Sequence, residues 1–125
     1  MTIYIAAPWP LRSEAQALCA QLREAGVAVR ATWLDRELDE LPGALADLAD
    51  ITLADALVLL NPEEYRDSGT GGRHVETGYA LALGRKVFIL GVRSNGFHAL
   101  ADDAASGVEE LVGQLRRWEK PCIPL

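Results

Sequence analysis

Residues 67–84, DSGTGGRHVETGYALALG, decide how this chain folds. Upstream, residues 56–60 (ALVLL) form a continuous apolar run bounded by polar residues, which predicts a strand buried on both faces. Downstream of the glycines, apolar residues recur at helical spacing until Gly84, which predicts a helix over about residues 73–83. Strand, Gly-rich turn and helix in that order place the turn at the C-terminal edge of a sheet, where open α/β folds bind ligands. The free N–H groups of the helix N-terminus favour an anion there. Glu76 falls in the first turn of the predicted helix. An acidic residue in that place often does no more than complement the helix dipole, but this one follows Gly69, Gly71 and Gly72, which allow a ligand close to the backbone.

The same alternation extends in both directions. Residues 2–6 read as a first strand. Ser13 and Gln16 read as a capping box for a helix that carries Ala15, Leu18, Cys19, Leu22 and Ala25 on one face and stops at Gly26. Val27, Val29, Ala31 and Trp33 alternate as a second strand, and residues 42–53 read as a helix with Leu45, Leu48 and Thr52 inward. Residues 86–90 give a fourth strand. Residues 103–106 are placed for a short edge strand of poor strand composition, and residues 108–118 form a closing helix with Val108, Leu111, Val112 and Leu115 on its apolar face. The expected architecture is an α/β three-layer sandwich, flavodoxin-like or Rossmann-like, with a five-stranded parallel sheet.

Bulk properties narrow the function. At 125 residues the chain is expected to form one domain with one core. Its net charge of −6 and pI near 4.8 argue against a nucleic-acid surface and for a small-molecule partner. No apolar stretch approaches a membrane span, and residues 1–9 show no signal-type core. Cys19 and Cys122 form no disulfide framework, which fits a reduced, cytoplasmic setting. His74 and His98 do not form a zinc pattern, and no cofactor is called for.

Read together, four segments resemble the nucleoside 2-deoxyribosyltransferase family and its relatives that hydrolyse nucleotide N-glycosidic bonds. They are IYIAAPW (3–9), ADLADITLADALVLLNP (46–62), GGRHVETGYALALGRKVFILG (71–91) and VRSNGFH (92–98). The ETGYALALG stretch, coming after the Asp-bearing helix, is the specific part. The resemblance implies that Glu76 is the nucleophile and Tyr4 the hydroxyl that orients it. It implies that Asp47 contacts the sugar and helps activate the site, with Asp50 and Asp55 as neighbouring alternatives, and that Trp9 borders the base. Asn95 would reach the 5′ end of a substrate in a neighbouring subunit, although Asn-Gly is also a common turn pair. Thr70, Gly71, Gly72 and Arg73 would contact the substrate.

One position departs from the transferase pattern. Transferases of the family often carry an aspartate six residues before the nucleophile, positioned to protonate the leaving base; here that residue is Thr70. Related nucleotide hydrolases place a hydroxyl there, against a 5′-phosphate. Either Asp67 swings in as the acid, or Thr70 holds a phosphate, and the sequence leaves both open. The resemblance thus implies transfer of 2-deoxyribose between bases first and hydrolysis of a nucleoside 5′-monophosphate second. The partners would be a nucleoside or nucleotide and a free nucleobase, in a homodimer or larger homo-oligomer with shared sites. A non-catalytic nucleotide-binding module would keep the same fold. Phosphoribohydrolases of cytokinin-type nucleotides share the glycines-then-Glu appearance, but their proline-initiated glycine motif is absent. The tail EKPCIPL (119–125) is expected to dock on a neighbour or to fold back over the core.

Overall fold

The computed structural model describes residues 1–36, 41–67 and 69–119, without the side chains of Leu41 and Pro42. Five strands, β1 (Thr2–Ala6), β2 (Ala28–Val29), β3 (Ala56–Asn61), β4 (Lys86–Gly91) and β5 (Asp103–Ala105), form one sheet in the order β2-β1-β3-β4-β5. All pairings are parallel. This is the flavodoxin-like winding expected from the alternating pattern. Helices α1 (Arg12–Glu24) and α4 (Val108–Glu119) pack together on one face, and α2 (Leu41–Leu53) packs with α3 (Gly72–Ala82) on the other. Among the described residues no helix is long and apolar enough to cross a membrane.

The core follows from the central strands, which are apolar on both faces as a doubly covered parallel sheet requires. Ile3, Ile5, Leu57, Leu59, Phe88 and Ile89 are all fully buried. Leu111 and Leu115 of α4 meet them from one side, as the spacing predicts, with Val112 at the margin. Helix α1 ends as expected at Gly26, in left-handed backbone with φ +86°. Val27 N–H there bonds to Leu22 O and Gly26 N–H to Arg23 O, closing the helix in a Schellman turn.

Four local expectations are corrected. The strand predicted over residues 27–33 is only two residues long. After Arg30 N–H bonds to Ile3 O, the chain turns into a short 3-10 helix, Thr32–Asp35, and the Trp33 indole N–H takes over by bonding to Ile5 O at 2.7 Å. The alternation of Ala31 and Trp33 reflects burial in a turn, not a ladder. The capping box is absent: Leu11 is the N-cap of α1, Ser13 lies inside the helix, and Gln16 reaches across to Leu34 O at 2.8 Å. In α2 the inward face is offset from the predicted one. Asp50 and Ile51 are buried, Leu48 is half-buried, and Leu45 and Thr52 are exposed. Helix α3 begins at Gly72, because Gly71 takes φ +88° and lets the helix start a residue early. Glu76 is therefore in the second turn. Cys19 is buried as expected, while Cys122 and residues 120–125 of the tail lie outside the described residues.

Candidate active site

The strand order reverses between β1 and β3, and their ends are staggered. The β1–β3 ladder stops at Ala6↔Leu59, whereas β3 and β4 continue to Asn61↔Gly91. A cavity of about 260 Å³ opens at that step. Its walls come from the turn after β1 (Pro8, Trp9), the segment after β2 (Trp33, Arg36), α2 (Asp47, Leu48), the Gly-rich turn (Thr70, Gly71, Gly72) and α3 (Arg73, Glu76). Loops that leave neighbouring strands in opposite directions create such a crevice without any special residue.

Tyr4 and Glu76 are 72 positions apart and meet here, the phenol donating to Glu76 Oε2. Tyr4 is fully buried in β1, while Glu76 is half-buried and faces the cavity. Burial raises the Tyr4 pKa far above its ordinary value, and the charge of Glu76 and the bond to it raise it further. The phenol therefore remains a donor at any working pH, and the carboxylate keeps a fixed partner.

The three candidate aspartates of the middle segment separate cleanly. Asp50 is buried and accepts from Arg30 Nε (3.1 Å), Thr32 N–H (3.0 Å) and Thr32 Oγ1 (2.7 Å), which pins the turn after β2 to α2. Asp55 accepts from Thr2 N–H at 2.8 Å, at the opposite edge of the sheet. Asp47 alone of the three lines the cavity, with Oδ1 2.6 Å from Arg36 Nη2. Arg36 carries no sequence motif and was not foreseen as a site residue.

Trp9 and Trp33 form one apolar wall, their ring centroids 5.9 Å apart and tilted by 41°. Trp33 is the second unforeseen lining residue, since the sequence assigned it to a strand. Arg73 is buried, and burial lowers its pKa. Its Nε donates to Asn61 Oδ1 at 3.2 Å and its Nη2 to Tyr65 O at 2.8 Å. This guanidinium therefore ties the end of β3 and Tyr65 to the first turn of α3, next to Thr70 and Gly71 of the cavity wall.

Two expected residues stand apart. Asp67 is exposed and is not among the cavity walls. Asn95 is exposed and caps a short 3-10 helix, Gly96–Leu100, through Oδ1, which accepts from Phe97 N–H (2.9 Å) and His98 N–H (3.3 Å). With His74, His98 and Phe97 it lines a second hollow of about 330 Å³. Among the described residues no group of His, Cys, Asp and Glu could hold a metal ion.

No protein-family model matches the chain, and no curated protein matches it. Solved structures do share its fold. The CMP N-glycosidase of Clostridium botulinum superposes with a TM-score of 0.64 at 18% identity, covering 94% of this chain and 99% of that one. The 2-deoxyribosyltransferase of Leishmania mexicana superposes with a TM-score of 0.58 at 19% identity, covering 86% of this chain and 75% of that one. At these identities the likeness establishes a shared fold, that of one enzyme from each of the two activities the sequence resemblance joins.

Proposed function

We propose that this chain is an enzyme that cleaves the N-glycosidic bond of a nucleoside or nucleoside 5′-monophosphate through a covalent glycosyl–Glu76 intermediate. The observation that carries the reading is the Tyr4–Glu76 pair at the switch-point cavity, whose walls include both Glu76 and Asp47. Cleavage of a C1′–N bond passes through an oxocarbenium-like state. The Glu76 carboxylate attacks C1′ from the face opposite the base, a C1′–O bond forms, and the C1′–N electron pair leaves with the base, which takes up a proton. A second base attacking C1′ then frees Glu76 and gives transfer with retained stereochemistry. Water attacking instead gives hydrolysis. Tyr4 orients the carboxylate, Asp47 binds the sugar hydroxyls, and the Trp9–Trp33 wall receives the base.

Transfer of 2-deoxyribose is the outcome the resemblance names first. The placement of two residues favours hydrolysis of a 5′-monophosphate as the second reading. Asp67 is exposed and off the cavity wall, whereas Thr70 lines the cavity beside the N-terminus of α3, where a phosphate is favoured. Incubation with deoxyadenosine plus cytosine, and in parallel with deoxynucleoside monophosphates, separates the two by chromatography of free and exchanged bases. Release that requires an acceptor base supports transfer, and release from monophosphates alone supports hydrolysis. Full activity of Glu76→Ala in both assays rules out the nucleophile.

A homodimer with shared sites belongs to the same proposal. Asn95 lies in the second hollow, away from Glu76, beside exposed Phe97 and Leu100, and Val75 and Leu45 are exposed on α3 and α2. An apolar surface of this kind suits a second copy. Sedimentation showing a fully active monomer would refute it.

A further inference from the structure

Gly43, the third residue of α2, stands where alanine would make the better helix. Its backbone does not call for glycine, since it is not among the positions of positive φ. Its surroundings do. A Cβ at position 43 would lie 2.4 Å from Arg36 Nη1, 2.8 Å from Cζ and 3.3 Å from Nε. The guanidinium rests directly on the bare Cα, and from there its Nη2 reaches Asp47 Oδ1 at 2.6 Å. Arg36 Nε and Nη1 are buried with no hydrogen-bond partner among the described residues. Buried donors without partners oppose this placement. Two features favour it, the Asp47 charge and the space left by the missing side chain.

We infer that Gly43 is a positioning residue for the candidate site: its lack of a side chain admits the Arg36 guanidinium, which fixes the Asp47 carboxylate at the cavity wall. The inference rests on the reading of Asp47 as a substrate contact, and it adds a residue that neither lines the cavity nor carries a reactive group. The conflict created by Gly43→Ala falls on the far end of a flexible side chain, not on backbone. The substitution therefore expels the guanidinium and leaves the helix intact.

The test combines a readout independent of activity with a kinetic one. In the parent protein the Arg36 Nε–H, buried in a guanidinium whose Nη2 is bonded to Asp47, is expected to give a slowly exchanging resonance in nitrogen-15 NMR, and a parent protein without one overturns the inference. Gly43→Ala and Asp47→Asn are expected to abolish that slow exchange, with an unchanged or raised Tm for Gly43→Ala. Base release by Gly43→Ala is expected to fall about 10- to 100-fold, as for other misplacements of a substrate contact. Arg36→Gln should fall equally, and the double variant no further, because Gly43 acts only through Arg36. A slowly exchanging Arg36 Nε–H that survives Gly43→Ala overturns the inference. So do multiplying losses in the double variant, or a Gly43→Ala protein that fails to fold. Failure of the functional reading shows differently: Glu76→Gln keeps the parent rate, or no nucleoside or nucleotide loses its base, while the NMR result still decides the role of Gly43.

Discussion

Removal of one oxygen atom, by Tyr4→Phe, tests the candidate site most directly. The ring of Tyr4 fills a fully buried place in β1, and phenylalanine keeps that packing, so the change is confined to the bond with Glu76 Oε2. A hydrogen bond to a charged group is worth about 1.5–3 kcal/mol, and about 1.4 kcal/mol corresponds to a factor of ten in rate. Full loss of the orienting bond would thus slow the chemical step about 10- to 100-fold. Two features of the site pull toward the lower end. Glu76 is half-buried and open to cavity water, which replaces part of the lost bond, and a carboxylate without its donor is a stronger nucleophile. The expected outcome is a loss of about tenfold in kcat with KM little changed, measured as base release at saturating substrate. In the Glu76→Gln background Tyr4→Phe should cost nothing more, because the two groups act as a unit. A Tyr4→Phe enzyme within twofold of the parent in kcat would refute the orienting role. A further loss on top of Glu76→Gln would show that the phenol acts on something other than this carboxylate.

Two more outcomes follow from the placement of groups around the cavity. Asp67→Asn should leave base release within about twofold, because Asp67 is exposed and off the wall, whereas Thr70→Val should raise KM for monophosphates and not for free nucleosides; parallel KM measurements decide both, and a collapse of kcat in Asp67→Asn would restore it as the general acid. Stability should also fall on acidification. Burial, then the neighbouring His74 and the Arg73 and Arg93 guanidinium groups, lowers the His98 pKa, and burial together with Arg73 lowers that of His74. The unfolded chain then binds more protons below about pH 6.5, so folding stability present above that pH is lost as the pH drops toward the depressed folded values. Urea melts between pH 5 and pH 8 should show this limb flattened in His98→Gln, and an unaltered limb would exclude His98 as its source.

What the sequence disclosed and what it hid divide along one physical line. Tyr4, Glu76 and Asp47 lie on regular elements, where a period of two or 3.6 residues fixes which face a side chain takes. Once the strand order 2-1-3-4-5 is read, the switch point between β1 and β3 follows, and residues 72 positions apart come together without any long-range signal in the chain. The start of α3 was misjudged by a residue because the left-handed turn at Gly71 sets it, and a conformational angle leaves no periodic trace. That error bears on function. A first-turn acid is an ordinary dipole partner, whereas an acid that falls in the second turn and is bonded to a buried phenol has no such explanation.

Arg36 and Trp33 were hidden for the converse reason. Both follow a strand that stops after two residues, on a turn whose shape is set by contacts with other elements: the Trp33 indole on Ile5 O, Thr32 on Asp50, and the Arg36 guanidinium against Gly43. Each pair joins different elements, and no period connects the partners. The visible trace was a mismatch of levels, a glycine inside the first turns of a helix where propensity favours alanine. Such a mismatch marks a place where something other than the helix determines the residue, and here the determining object is a cation at the wall of the cavity. In the proposed reaction the nucleophile Glu76 and the orienting hydroxyl of Tyr4 are thus supplied by the regular scaffold, on α3 and β1. On the same proposal Trp9, Trp33 and Thr70, which would meet the base and the 5′ end, sit on the irregular segments after β1, β2 and β3, and substitutions there should change which base or phosphate is accepted before they change whether the bond is broken.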